Sequence, residues 1–216
     1  MSTTPAIGMA PEIVELRTGV DWDSYVRLDD SFETSAVRLT YHRGSLEIMT
    51  VSRSHEGINR LLSDLFSSLA VGLEIDFYNA GSVTHRDESS QAGFEPDTCF
   101  YVTNLDHPFE GGPILLPRDP APDLVIEVDI SRSSLNKMAA YAAVGCREGW
   151  RHHNGRLTVV SLSGGRVAEV EQSAVLPGIR KADLNSLLSK AAHMPRNRWI
   201  LLVIDWARAR RSESQS

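Results

Sequence analysis

The sequence predicts an α/β protein, because strand-like and helix-like segments alternate along the chain. Two segments carry this prediction. Residues 54–71 repeat apolar side chains at three- and four-residue spacing, which is typical of an amphipathic helix. Residues 124–130 are largely apolar on both alternating faces, as in a central strand covered on both sides. With 216 residues, 42% of them apolar and 23% charged, the chain is expected to form one domain over residues 21–210.

A β-hairpin is expected near the N-terminus, after a flexible lead-in over residues 1–20 and a short helix over Trp22–Asp30. Two β-rich runs, Ala36–Tyr41 and Leu46–Thr50, are separated by four residues that include Gly44. Glycine adopts positive φ at little cost, so this segment can form the tight turn that a hairpin needs.

The helix over residues 54–71 has clear start and stop signals. Ser54 is a good N-cap, and Gly72 supplies the C-terminal stop. The apolar stripe consists of Ile58, Leu61, Leu62, Leu65, Phe66 and Leu69. His55 lies at the edge of that stripe, whereas Glu56 points to the opposite side. His55 is therefore either a hydrogen-bonded core histidine or a member of a site.

Turn and capping residues divide the rest of the chain. The predicted elements are strands at Glu74–Tyr78, Asp97–Val102 and Leu124–Ile130, a surface loop over residues 103–122, a helix from Ser133 or Ser134 to Val144, hairpin turns at Asn154-Gly155 and Gly164-Gly165, and C-terminal helices over Ala182–Ala192 and from Pro195 onward. Residues 211–216 are expected to be a disordered tail.

Composition excludes several classes of protein. No apolar run approaches the ~20 residues needed to span a bilayer, and the N-terminus lacks a signal-peptide pattern. The two cysteines, Cys99 and Cys146, lack the spacing of a zinc or redox motif. We therefore expect a cytoplasmic protein without membrane association. The formal net charge of -6 disfavours tight non-specific nucleic-acid binding.

Acidic side chains accumulate on one face of the predicted central strand. Asp123, Glu127 and Asp129 share that face, because alternate residues of a strand point the same way. Desolvated carboxylates so close together repel one another unless a cation compensates them, and Mg²⁺ is commonly held by one or two carboxylates plus water. In the alternative interpretation, Asp123 and Asp129 are solvated strand ends and only Glu127 needs a partner.

A second acid and a lysine extend this cluster. Asp97 begins the preceding strand directly after a proline, so two neighbouring strands could each bring one carboxylate to the same ion. Lys137 lies in the first turn of the next predicted helix, from which it could reach a strand-end site and stabilise charge on a phosphate. An ordinary exposed helix lysine is the alternative.

Several motifs together resemble one family. They are Glu95-Pro96-Asp97, the run Pro122-Asp123-Leu124-Val125-Ile126-Glu127-Val128, Ser131–Ser134, Lys137, Tyr141, Gly145 and Trp150, with Arg38–Tyr41, Leu46–Met49 and His55 upstream. They look like the Uma-type endonucleases, a restriction-endonuclease-like group of the PD-(D/E)XK superfamily, over roughly residues 20–180. The resemblance implies a mixed β-sheet flanked by helices, a Mg²⁺ or Mn²⁺ site, and phosphodiester hydrolysis in DNA.

Functional residues follow from the resemblance one position at a time. Asp97 matches the proline-preceded acid and Glu127 the acid of the strand motif, so both are expected to bind the metal ion. The lysine expected two residues after Glu127 is replaced by Asp129, and Lys137 is interpreted as the migrated catalytic lysine. The secondary candidates are His55, Glu47, Asp123, Asp129 and Tyr141.

Three functions are compatible with these residues. The first is a metal-dependent DNA endonuclease that uses Asp97, Glu127 and Lys137. The second is a catalytically degenerate module that binds nucleic acid or protein, for which Asp129 in the lysine position is the indication. The third is a metal-dependent hydrolase with another substrate. A homodimer is possible, since Trp199, Leu202 and Trp206 fit either a subunit interface or the core of the monomer.

Overall fold

The computed structural model describes residues 13–32, 37–105, 111–130 and 136–214, which form two six-stranded sheets and five α-helices. The helices are α1 (Trp22–Ser31), α2 (Arg53–Leu73), α3 (Lys137–Ala143), α4 (Lys181–Ala191) and α5 (Arg196–Ser214). The strands are β1 (Val14–Thr18), β2 (Val37–His42), β3 (Ser45–Thr50), β4 (Tyr78–Gly81), β5 (His85–Asp87), β6 (Ala92–Phe94), β7 (Thr98–Tyr101), β8 (Ile114–Leu115), β9 (Leu124–Asp129), β10 (Glu148–His153), β11 (Arg156–Ser161) and β12 (Ala168–Val170).

The N-terminal sheet has the order β1-β3-β2-β6-β5-β8 and contains the predicted hairpin. Arg43 and Gly44 both have positive φ, at 49° and 84°, which suits a two-residue turn between antiparallel strands. β1 pairs with β3, so part of the expected lead-in is a strand. All pairs in this sheet are antiparallel except β5 with β8.

The second sheet is mixed and has the order β12-β11-β10-β9-β7-β4. Its centre is β9, which runs parallel to β10 and antiparallel to β7. Every residue of β9 is buried, which confirms the prediction of a central strand with both faces covered. The predicted turn at Asn154-Gly155 joins β10 to β11, and both residues have positive φ.

The two faces of β9 belong to different parts of the core. Leu124 and Ile126 pack in a large cluster with side chains of α2, α4 and α5. Val125 packs in a second cluster with Tyr141 of α3 and with Phe94 of the N-terminal sheet. The side of the sheet that carries α3 is called the α3 face below. Helices therefore cover both sides of the second sheet, as predicted for a mixed sheet flanked by helices.

Several element boundaries differ from the predictions. α2 begins one residue before Ser54 and is capped by Ser52, whose hydroxyl accepts a hydrogen bond from the backbone N–H of His55 at 3.2 Å. It continues through Gly72 to Leu73, and the capping residue Glu74 has left-handed φ. The strand predicted over Glu74–Tyr78 starts only at Tyr78.

The start of α3 was also predicted wrongly. The helix begins at Lys137, and the Asn136 side chain accepts a hydrogen bond from Ala139 N. The predicted caps Ser133 and Ser134 lie outside the described residues.

The C-terminal helix α5 packs on α2 and continues through Ser214, into the segment expected to be a tail. Trp199 is fully buried and donates its indole N–H to Leu187 O at 2.8 Å, so this aromatic residue belongs to the monomer core. No helix among the described residues is long and apolar enough to cross a membrane.

Candidate active site

Asp97 and Glu127 lie opposite each other on neighbouring strands. Thr98 of β7 pairs with Ile126 of β9, so the antiparallel register places Asp97, one residue before β7, beside Glu127. Glu127 points to the α3 face, because the flanking Ile126 packs on the opposite side of the sheet. The strand pairing therefore brings together the two acids that the sequence predicts as metal ligands.

Asp97 is held in place by the neighbouring strand and by α2. Its Oδ2 accepts a hydrogen bond from Val128 N at 2.7 Å and lies 3.1 Å from His55 Nε2. Asn59, one helical turn after His55, donates from Nδ2 to the backbone oxygen of Asp97 at 2.9 Å. The Asn59 carbonyl accepts the Thr98 hydroxyl proton at 2.8 Å. The N-terminal half of α2 thus holds Asp97 in place through His55 and Asn59.

Lys137 reaches Glu127 from α3. Its Nζ donates to Glu127 Oε2 at 3.1 Å and lies 3.6 Å from Oε1 of Glu47, which comes from β3 of the other sheet. Tyr141, one turn along α3, donates its hydroxyl proton to Glu127 Oε1. All four side chains are buried. The junction of the two sheets therefore gathers Lys137, Tyr141 and Glu47 around Glu127.

The electrostatics of this cluster are dominated by burial and by an excess of acids. Burial raises the pKa of Glu127 to about 7, an effect that Lys137 opposes and Asp97 reinforces. Burial also disfavours the charge on Lys137, but Glu127, Asp97 and Glu47 together outweigh it and raise the pKa of the lysine. Among the described residues, one ammonium group thus faces three carboxyl groups. The surplus negative charge favours a proton on Glu127, or a further cation beside it.

The donor set suits a hard divalent cation. Both contacts of the Asp97 carboxylate engage Oδ2, so Oδ1 has no hydrogen-bond partner among the described residues. Within the same ranges, no three His, Cys, Asp or Glu side chains are grouped closely enough to hold an ion by themselves. Mg²⁺ commonly uses only one or two carboxylates and completes its shell with water and substrate phosphate. Asp97 and Glu127 meet that requirement.

A surface pocket of about 490 Å³ is lined in part by Asp97. Asn59 and Thr98 line it with Asp97, and three arginines, Arg38, Arg60 and Arg196, contribute to its walls. Of the acidic pair, Asp97 lines this pocket, whereas Glu127 lies behind it and is 1% exposed.

Two secondary candidates at the ends of β9, Asp123 and Asp129, are each paired with an arginine. Asp123 accepts hydrogen bonds from Val102 N at 2.8 Å and Thr103 N at 3.0 Å, and forms an ion pair with Arg147 at 2.8 Å. It therefore joins the start of β9 to the end of β7, at the opposite end of the strand from Glu127. Asp129 is paired with Arg151 of the neighbouring strand β10.

Sequence reasoning missed Asn59 and Arg151. Asn59 follows His55 by four residues, so its place on the same helix face was a usable signal. Arg151 had no such signal, because its position beside Glu127 depends on the pairing of β10 with β9.

The two sheets, the helices around them and the buried acidic pair define a restriction-endonuclease-like fold. A crystal structure from Anabaena variabilis ATCC 29413, described as "a putative nuclease belonging to DUF820", superposes with a TM-score of 0.53. Its identity is 18%, and the match covers 77% of this chain and 97% of that chain, which supports the shared fold. The profile of the Uma2 family, described as "Putative restriction endonuclease", matches residues 22–192, and the chain belongs to this family. No curated protein matches the sequence.

Proposed function

We propose that this protein is an endonuclease that hydrolyses phosphodiester bonds in DNA and depends on Mg²⁺ or Mn²⁺. Membership of a nuclease-like family supports the general class. The observation that carries the specific proposal is the pairing of Asp97 with Glu127 across β7 and β9, with Lys137 3.1 Å from the Glu127 carboxylate. Two acids that can hold a divalent ion, with a lysine beside them, suit metal-assisted phosphate chemistry.

Each of these residues has a definable task. Asp97 and Glu127 would hold the divalent ion, which when bound supplies a Lewis acid for the phosphate and for the attacking water. His55 and Val128 N fix the orientation of Asp97, and Tyr141 does the same for Glu127. These supporting contacts matter because a carboxylate that rotates freely binds a cation less well.

Lys137 supplies the positive charge that the strand itself lacks. The position two residues after Glu127 is occupied by Asp129, yet the Lys137 ammonium group reaches Glu127 from α3. There it keeps Glu127 partly ionised against the effect of burial. In the substrate complex the same ammonium group is placed to stabilise the added negative charge of a phosphate.

Nicking of supercoiled plasmid in Mg²⁺ or Mn²⁺ tests the proposal. Glu127→Gln removes a charge without changing the size of the side chain and is expected to lower the cleavage rate by more than about 100-fold. Asp123→Asn is the matched control, since it neutralises another buried acid next to the same strand, away from the site. Equal cleavage by wild type and Glu127→Gln would contradict the proposal and indicate a contaminating nuclease.

The catalytically degenerate module remains the second candidate, and one observation favours it. Asp129 places an acid where the family resemblance predicts a lysine, and this acid is paired with Arg151. DNA binding by the wild type without cleavage in either metal would select this second function.

A further inference from the structure

Arg151 lies next to Glu127 on the α3 face of the second sheet. The parallel pairing of β9 with β10 places Arg151 directly beside Glu127. Trp150, its neighbour in sequence, packs edge-on against Phe66 of α2 on the opposite face. Because alternate residues of a strand point to opposite faces, Arg151 shares the face of Glu127.

The arginine is anchored but not covered. Its Nε donates to Asp129 Oδ2, and Asp129 is itself buried. The Arg151 side chain is nevertheless 48% exposed. Its terminal nitrogens have no acidic partner among the residues that the structure describes. A guanidinium group whose Nε binds one carboxylate and whose terminal nitrogens face solvent can bind a second oxyanion.

We propose that Arg151 binds a phosphate of the nucleic-acid substrate beside the acidic pair, and that Asp129 positions it for this task. The inference rests on the proposed function, whose substrate carries the phosphates. The proposal also gives Asp129 a role. This acid occupies the position where the family resemblance predicts a lysine, and it binds the guanidinium group of Arg151 from the adjacent strand β10. The described residues of the site then include two cations on different elements, Lys137 buried beside Glu127 and Arg151 at the surface.

The chain offers a close control for this residue. Arg147 forms an ion pair with Asp123 at 2.8 Å, and its side chain is 45% exposed. The two arginine–aspartate pairs are thus alike in chemistry and exposure, but they lie at opposite ends of β9. Arg147→Gln therefore removes the same charge just before β10, without changing the neighbourhood of Glu127.

Salt-dependent DNA binding tests the proposal. A fluorescent 20-base-pair duplex is titrated in EDTA at several salt concentrations with wild type, Arg151→Gln, Arg151→Lys, Asp129→Asn and Arg147→Gln. Arg151→Gln is expected to weaken binding about ten-fold and to reduce the salt slope by about 0.9, which corresponds to the loss of one phosphate contact. Arg151→Lys and Asp129→Asn should keep the slope but bind about three-fold more weakly, because the charge remains without its anchor. Arg147→Gln should match the wild type.

Plasmid cleavage by the same proteins separates this inference from the proposed function. If the wild type cleaves but Arg151→Gln keeps the wild-type affinity and salt slope, the role of Arg151 is refuted and the nuclease stands. If the slope changes as expected but the wild type does not cleave, Arg151 binds phosphate in a protein that is not a nuclease. If the wild type does not bind the duplex even at low salt, the inference is refuted. Thermal unfolding of each variant identifies a purely structural effect, which would lower the melting temperature and leave the salt slope unchanged.

Discussion

Replacing Lys137 with methionine is expected to destabilise the protein strongly, and more so at higher pH. The substitution keeps a long unbranched side chain but removes the ammonium group that contacts Glu127 at 3.1 Å and Glu47 at 3.6 Å. Removing one partner of a buried ion pair costs about 3–5 kcal/mol, because the remaining charges stay desolvated. We expect a loss in this range in the free energy of unfolding at pH 8.

The pH dependence follows from Glu127. Its pKa is raised from 4.5 to about 7, and without Lys137 it rises further. A carboxyl group whose pKa is raised by folding favours the folded state at low pH, and this benefit is lost as the pH rises through the folded pKa. In the variant the loss continues above pH 7, so the cost of the substitution grows by up to about 1.4 kcal/mol per pH unit.

Urea denaturation at pH 6 and pH 8, in EDTA, measures the stability cost of Lys137→Met and its change with pH. The comparison requires that wild type and variant have the same m value. Lys181→Met is the matched control, because Lys181 also contacts two acids, Glu169 and Glu171, but these are exposed. The control should show a small effect that does not grow with pH. A Lys137→Met cost equal at the two pH values, or no larger than that of the control, would refute the electrostatic account of the cluster.

Three further substitutions test the fold around the site. Burial lowers the pKa of His85 from 6.5 to about 4. In this pH interval the unfolded chain binds a proton on His85 that the folded state does not, so the folded state loses stability as the pH falls. Glutamine does not titrate, so between pH 7 and pH 4 the wild type should lose about 3 kcal/mol more of its free energy of unfolding than His85→Gln does. The same pH dependence for both proteins in urea denaturation would contradict this. Gly93→Ala would place a Cβ atom 2.3 Å from the buried ring of Tyr25, and we expect a loss of about 2–3 kcal/mol in the same assay. An unchanged midpoint would show that Tyr25 can move aside. Asp123→Asn should lower the melting temperature while keeping any cleavage activity, and lost activity in the folded variant would return Asp123 to the site.

Local patterns determined the elements whose physics is local. The long apolar stripe predicted α2, because burying one helix face requires that spacing whatever the partner. The positive-φ residues at Gly44 and Gly155 predicted two hairpins, because such turns depend on a few backbone angles. The run Leu124–Ile130 predicted a central strand, since a strand covered on both sides needs apolar residues on both faces.

Tertiary structure decided how these elements meet. β1 was not predicted, because its residues are mostly exposed and it is stabilised by pairing with β3, about 30 residues away in the chain. The sequence indicated Asp97, Glu127 and Lys137 as separate signals, and the register of β7 against β9 and the docking of α3 place them together. No motif or residue spacing in the sequence could place Arg151 beside Glu127, because their proximity depends on which strand pairs with β9. The candidate acids can therefore be picked out from the sequence, whereas their partners depend on non-local hydrogen bonding and packing.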